Sequence, residues 1–146
     1  PVGPHWMPVG RINPLASYVR DCTDPVVDRV LATWFVPELY FFSQRGFAAG
    51  MVVTFGGHWS ERQYQERSVE LWARQSVPIV IVKTDEYEDF RVRHSLLDTY
   101  LREHYAVAGR TNFGDPEMND AGYTVWTRTD RAPVRTHPTW QMPCFA

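Results

Sequence analysis

The residues best suited to chemistry lie in one short loop, Phe55-Gly56-Gly57-His58-Trp59-Ser60. Two glycines let a backbone approach a ligand closely. Ser60 opens a helical pattern, and the free N–H groups of a helix start favour an anion such as phosphate. His58 offers a general base or a phosphate donor. Arg45, just before Gly46, adds a cation that either turns toward the same anion or settles at a helix C-terminus, where a cation is favoured in any case. Gly56, Gly57, His58, Ser60 and Arg45 together suggest binding of a nucleotide or sugar phosphate. The fit is incomplete, because neither GxGxxG nor GxxxxGK[ST] is present. A glycine pair is also an ordinary tight turn, and a loop histidine without an orienting carboxylate is an ordinary surface residue.

Other reactive residues give less. Asp85, Glu86, Glu88 and Asp89 form an acidic cluster, but their spacing lacks the glycine and the regular ligand alternation of a calcium loop. Acidic residues at a helix start complement its dipole, and that explanation suffices. His5, His94, His104 and His137 are scattered, with no pair at metal-ligand spacing. Ser43 and Ser60 have no Gly-x-Ser-x-Gly context. Cys22 and Cys144 can pair in an oxidising compartment, while two buried free thiols are the commoner outcome. The reading therefore names no catalytic residue, no metal ligand and no cofactor.

The elements that must position the loop follow from hydrophobic periodicity. Arg29–Phe35 is a short apolar run suited to a strand buried on both faces. Pro37 opens a helix through Leu39, Tyr40 and Phe42, since proline at a first helical position loses an N–H that has no partner anyway. Gly46 is placed to end that helix in the left-handed conformation, and Gly50–Phe55 gives a second strand. Upstream, Asn13 and Pro14 start a helix whose Leu15, Tyr18, Val19 and Cys22 form one apolar stripe. Downstream, Ser60 and Gln63 make a capping box for a helix to about Gln75, with Tyr64, Leu71 and Trp72 on its apolar face. Val77–Val82 is a further strand, continuous rather than alternating and so buried on both faces. Thr84–Phe90 reads as a loop and helical turn. Ser95 starts a helix carrying Leu96, Leu97, Tyr100, Leu101 and His104 on one face. Tyr105–Phe113 and Tyr123–Thr129 read as an antiparallel hairpin at a sheet edge.

The element order α-β-α-β-α-β-α-β-β predicts an α/β fold: a three-layer open sandwich with a mostly parallel sheet and a C-terminal antiparallel hairpin at one edge. Residues 1–12 read as an irregular N-terminal segment, 13–130 as a single α/β domain, and 131–146 as a Pro-rich irregular tail. At 146 residues one such domain buries roughly 70% of its unfolded surface. A net charge of −2 offers no basic face for a nucleic-acid partner. No apolar run approaches the roughly 20 residues of a membrane span. The chain starts at Pro1 without an initiator methionine or a signal-peptide pattern, which reads as a piece of a longer polypeptide.

Three stretches carry a family resemblance: DRVLATWFVPELYFFSQRGFAAG, then VTFGGHWSERQYQERSVELWARQSVPIVIV, then DEYEDF with TYLREHYAVAGRTNFGD. Over roughly Pro14 to Thr129 the chain resembles the soluble C-terminal domain of bacterial polytopic glycosyltransferase-like membrane proteins, related to the protein mannosyltransferase and aminoarabinose transferase superfamily. The resemblance implies catalysis in membrane segments that this chain lacks, so no catalytic residue transfers to it. It implies an extracytoplasmic accessory domain, tethered to membrane helices. Its partners would be the membrane-embedded part of the same polypeptide and a glycan or polyprenyl-phosphate-sugar. Such a domain should carry an exposed apolar or aromatic patch where the membrane part was removed, for which Trp6 and Trp140 are candidates. The alternatives are a free-standing α/β protein that binds a nucleotide or sugar phosphate at the Gly56-Gly57 loop, and a pure interaction module.

Overall fold

The computed structural model describes residues 9–50 and 59–146, and of residues 9–11 the backbone alone. The expected strand at Gly50–Phe55, the Gly56-Gly57-His58 loop and Trp6 lie outside the described residues, apart from Gly50 itself.

The first helix, α1 (Val9–Asp21), starts a turn earlier than Asn13 and holds Pro14 in its interior. Proline there forfeits a helical hydrogen bond. The extra turn adds Ile12 to the core, in line with the expected stripe of Leu15, Tyr18, Val19 and Cys22, all fully buried. Strand β1 (Asp28–Ala32) follows and stops short of Phe35. Pro37 opens α2 (Pro37–Ser43) as expected. The left-handed residue that ends α2 is Gln44 (φ 56°), not Gly46. At Gly46 a Cβ would meet Arg29 Nη1 at 2.8 Å, the far end of a flexible side chain that can shift aside.

Helix α3 (Arg62–Arg74) leads into β2 (Ser76–Lys83), whose six central residues are all buried. A 3-10 turn (Thr84–Glu86), α4 (Tyr87–Arg93) and α5 (Ser95–His104) follow. Then come β3 (Tyr105–Thr111) and β4 (Tyr123–Arg128). The expected irregular tail contains two short paired strands, β5 (Arg135–Thr136) and β6 (Pro143–Cys144).

The main sheet has the order β1-β2-β4-β3. It is mixed rather than mostly parallel, because β1–β2 is parallel while β2–β4 and β4–β3 are antiparallel. The hairpin was expected, and β3 does lie at the edge, but β4 inserts beside β2. On the outer side of β1 one parallel bridge joins Val30 to Phe47.

Alternation along β2 explains why its run VPIVIV is continuous. Ile79 and Ile81 join Val30, Ala32 and Val125 in a cluster with α1 and Leu39 of α2. Val80 and Val82 point the other way, into a cluster with Trp72, Phe90, Leu97 and Leu101 from α3, α4 and α5. Both sheet faces are therefore packed.

Cys22 and Cys144 form a disulfide, contrary to the free-thiol expectation. It fastens the tail to the end of α1. Phe145 N donates to Cys22 O (2.8 Å), Tyr18 Oη to Pro143 O (2.8 Å) and Arg135 Nη2 to Asp21 O (2.7 Å). Among the described residues no helix is long and apolar enough to cross a membrane.

Candidate functional site

Of the five residues that sequence reasoning grouped, Gly56, Gly57 and His58 lie outside the described residues, and Arg45 and Ser60 face different parts of the fold. Arg45 is buried. Its Nε donates to Thr23 Oγ1 (2.8 Å), Nη1 to the carbonyls of Ser43 (3.2 Å) and Gln44 (3.1 Å), and Nη2 to those of Arg20 (2.9 Å) and Thr23 (3.0 Å). Five N–H groups meet five protein acceptors, which is the whole donor capacity of a guanidinium. Three of these carbonyls, those of Arg20, Ser43 and Gln44, belong to the last residues or C-cap of α1 and α2, where helix dipoles favour a cation. Arg45 is a structural tie between two helix ends and not a phosphate ligand.

Ser60 does not cap α3. Glu61 holds the cap position, and no side chain there bonds the helix start. The expected Ser60–Gln63 box is replaced by Gln65, two residues further on. Its Nε2 donates to Ser60 O (2.6 Å) and Arg93 O (3.3 Å), and its Oε1 accepts from Leu96 N (2.9 Å). One buried carboxamide thus fixes the entry to α3 against the α4–α5 junction, and this tertiary demand overrides the local cap signal.

The acidic stretch behaves as expected for a helix start: Glu88 pairs with Arg91, and Asp89 with Arg93 at 2.7 Å. Nearby, buried Asp98 accepts from Tyr87 Oη (2.6 Å) and Arg102 Nε (2.8 Å). Burial, and then the bond to the Asp98 carboxylate, push the Tyr87 phenol up to about 12. It is neutral and donating at physiological pH.

Sequence reasoning missed a cleft of about 380 Å³ at the carboxyl end of β2. Lys83, Thr84 and Asp85 form one wall, and the β3–β4 connection forms the other, with Glu117, Asn119 and Gly122. Thr84 joins the walls through its N–H to Gly122 O (3.1 Å) and through Oγ1, 2.8 Å from Thr124 Oγ1. Asp115 shapes the connection, its Oδ1 accepting from Glu117 N (3.0 Å). At Gly122 a Cβ would meet Asn119 O at 3.0 Å, a tight approach to backbone, and Met118 Cε at 2.7 Å, the movable end of a flexible side chain. The signal was present in the strand VPIVIV, because open α/β sheets receive ligands beyond the carboxyl ends of their strands. The stretch GDPEMNDAG reads as turn chemistry, and its role as a wall depends on β4 pairing with β2.

One ammonium, two carboxylates and a carboxamide line this cleft. Two carboxylates against one cation oppose a phosphate and suit a hydroxyl-rich neutral ligand. Among the described residues no group of three or more His, Cys, Asp or Glu can hold a metal ion.

A second surface feature surrounds α2. Phe41 is 76% exposed, Phe35 50% and Phe47 39%. Phe41 stands edge-on to Phe42 at 5.1 Å, and Tyr40 to Phe47 at 5.9 Å. Trp140, expected in an exposed patch, is half-buried and packs edge-on to Phe113 at 5.0 Å. Among the described residues the exposed aromatic side chains are these phenylalanines around α2 and Trp59, 43% exposed, ahead of α3. No family model, curated protein or solved structure matches this chain.

Proposed function

We propose that this chain is an extracytoplasmic accessory domain of a membrane glycosyltransferase that uses a polyprenyl-phosphate-sugar donor, with catalysis in the membrane-embedded part of the same polypeptide. The observation that carries the reading is the Cys22–Cys144 disulfide. Such a bond persists in oxidising compartments and is rare where glutathione and thioredoxin keep thiols reduced. The family resemblance supplies the parent enzyme. Phe35, Phe41 and Phe47 around α2 supply a docking face for its membrane part, because a cluster of exposed large apolar side chains marks an interaction surface. The finer architecture that goes with this reading is a three-layer open sandwich, supported by α1 and α2 packing on one sheet face and α3, α4 and α5 on the other.

The test is topological. An antibody raised against this domain should detect a membrane-bound polypeptide much larger than the 17.0 kDa of the chain itself. Protease added outside intact spheroplasts should remove the epitope. A cytosolic, protease-protected band of 17.0 kDa would overturn the proposal.

The cleft at the end of β2 favours a second reading, a stand-alone α/β protein that binds a small polar ligand. Its mixed-charge walls suit a neutral glycan better than a sugar phosphate. Titration with neutral oligosaccharides and with sugar phosphates, followed at the Lys83 and Asn119 amides, separates the two. Saturable shifts with the oligosaccharides alone support glycan capture. Shifts with the phosphates alone contradict the charge argument.

A further inference from the structure

Helices α3 and α5 lie side by side, and a groove of about 460 Å³ opens between them on the outer surface. Its floor is apolar, formed by Val69 of α3 with Leu96 and Tyr100 of α5. Its rim is acidic. Glu66 and Glu70 stand on one side and Glu103 on the other, with Arg62 as the one cation among the lining residues. Arg62 is already engaged, its Nε lying 2.7 Å from Glu66 Oε1. Among the described residues Glu70 and Glu103 have no ion-pair partner, and both side chains are exposed. The groove therefore combines an apolar strip with two exposed carboxylates that are not held in an ion pair.

We propose that the groove between α3 and α5 docks a short amphipathic peptide segment of a partner protein, one that carries arginine or lysine beside its apolar side chains. Apolar side chains spaced three and four residues apart reach Val69, Leu96 and Tyr100, as in the helix-in-groove mode of recognition. The cations meet Glu70 and Glu103 and set the polarity of the partner. Length agrees. Helix α5 has ten residues, about 15 Å at the α-helical rise, which matches a segment of two to three turns. The same charges argue against a nucleic acid or an anionic lipid surface, since both present phosphates to carboxylates. Helices α3 and α5 belong to a different core cluster from α1 and α2, so the proposal stands apart from the membrane docking argued above.

The probe is a designed three-turn helical peptide with leucines on one face and arginines flanking them, titrated into the isotopically labelled chain. Two further peptides serve as comparisons, one with each arginine replaced by glutamate and one with each leucine replaced by serine. The basic amphipathic peptide should shift the Val69 and Leu96 amides saturably and bind about tenfold more tightly than its acidic counterpart. Its affinity should fall as salt rises. The double variant Glu70→Lys with Glu103→Lys should reverse that preference, and its unchanged melting temperature should show that both exposed substitutions leave the fold intact. Equal affinity for the two charge types, shifts that fall outside the groove, a preference that survives the charge reversal, or no binding by any peptide would each overturn the proposal.

Discussion

The two faces of the sheet are covered in different ways. On the face of α1 and α2 the covering chain comes from both ends of the molecule. Met142, Cys144 and Phe145 pack with α1, and the disulfide joins residues 122 positions apart. On the face of α3, α4 and α5 the helices are near neighbours in sequence. Trp72 of α3 is tied to the sheet beneath: its Nε1 donates to Tyr105 Oη of β3 (2.8 Å), which donates to Val77 O of β2 (2.6 Å). The first face closes by long-range staples and the second by local packing. The first should therefore depend on redox conditions and the second should not.

The largest expected effect tests that contrast directly. Cys22→Ser with Cys144→Ser releases a loop of more than a hundred residues, for which chain entropy gives a loss of about 5 kcal/mol. Urea denaturation measures it. Hydrogen exchange should localise it, with the Phe145 amide, bonded to Cys22 O, losing protection before the amides of α5. Equal loss on both faces would show that the two layers form one cooperative unit.

Arg45→Met comes next. It leaves Thr23 Oγ1 and four carbonyls without their donor at the junction of α1 and α2, at a cost of about 3 kcal/mol. Stability unaffected by this change would mean that water replaces the guanidinium. On the other face, Trp72→Phe removes the indole donor and part of a fully buried ring, for about 2 kcal/mol. It should leave the Phe145 amide as protected as before, and faster exchange there would break the division between the faces.

A smaller effect is set by pH. Burial pushes the Asp28 carboxyl up, but bonds from Arg131 Nη1 (2.8 Å), Ser76 Oγ (2.6 Å) and Asp24 N (2.7 Å) outweigh it and hold the group below its usual value. A carboxyl depressed in the folded state contributes stability that is complete above its unfolded value. That contribution is lost as pH falls through the folded value. Stability should therefore decline below about pH 4. Asp28→Asn should cost about 1 to 2 kcal/mol at neutral pH and flatten that acid limb. An acid limb identical in both proteins would assign it to other carboxylates.

Local periodicity made much of this fold legible. The apolar stripe of α1, Pro37 at the start of α2, the continuous run of β2 and the β3–β4 hairpin are all written in neighbouring residues. What escaped depends on partners distant in sequence. The insertion of β4 beside β2 pairs Ile79 with Thr127 and Lys83 with Tyr123, and no local pattern in TVWT announces that ladder. The Cys22–Cys144 bond was open because 122 residues separate its ends. Gln44 took the left-handed position that glycine normally favours. Arg45 was recognised at a helix end, but its five acceptors come from two helix ends that the sequence does not show to be adjacent. The cleft went unnoticed because its walls, KTD and PEMNDAG, meet only through that same β2–β4 ladder.

The smallest effect on stability should be the most telling for function. Phe41 projects from α2 with three quarters of its surface in water, so Phe41→Ser removes little packing and should change stability by less than about 0.5 kcal/mol. If the phenylalanines around α2 only decorate the surface, nothing else will change. If they dock on the membrane part of the polypeptide, Phe41→Ser together with Phe35→Ser should free the domain to move in the full-length protein. Limited proteolysis at the domain boundary should then speed up, while urea denaturation of the domain stays the same. A matched pair of substitutions on the other face, Glu70→Lys with Glu103→Lys, should leave that proteolysis rate unaltered. Acceleration by both pairs would mean that the membrane part holds the domain from both faces, and the contrast between the two faces would fail.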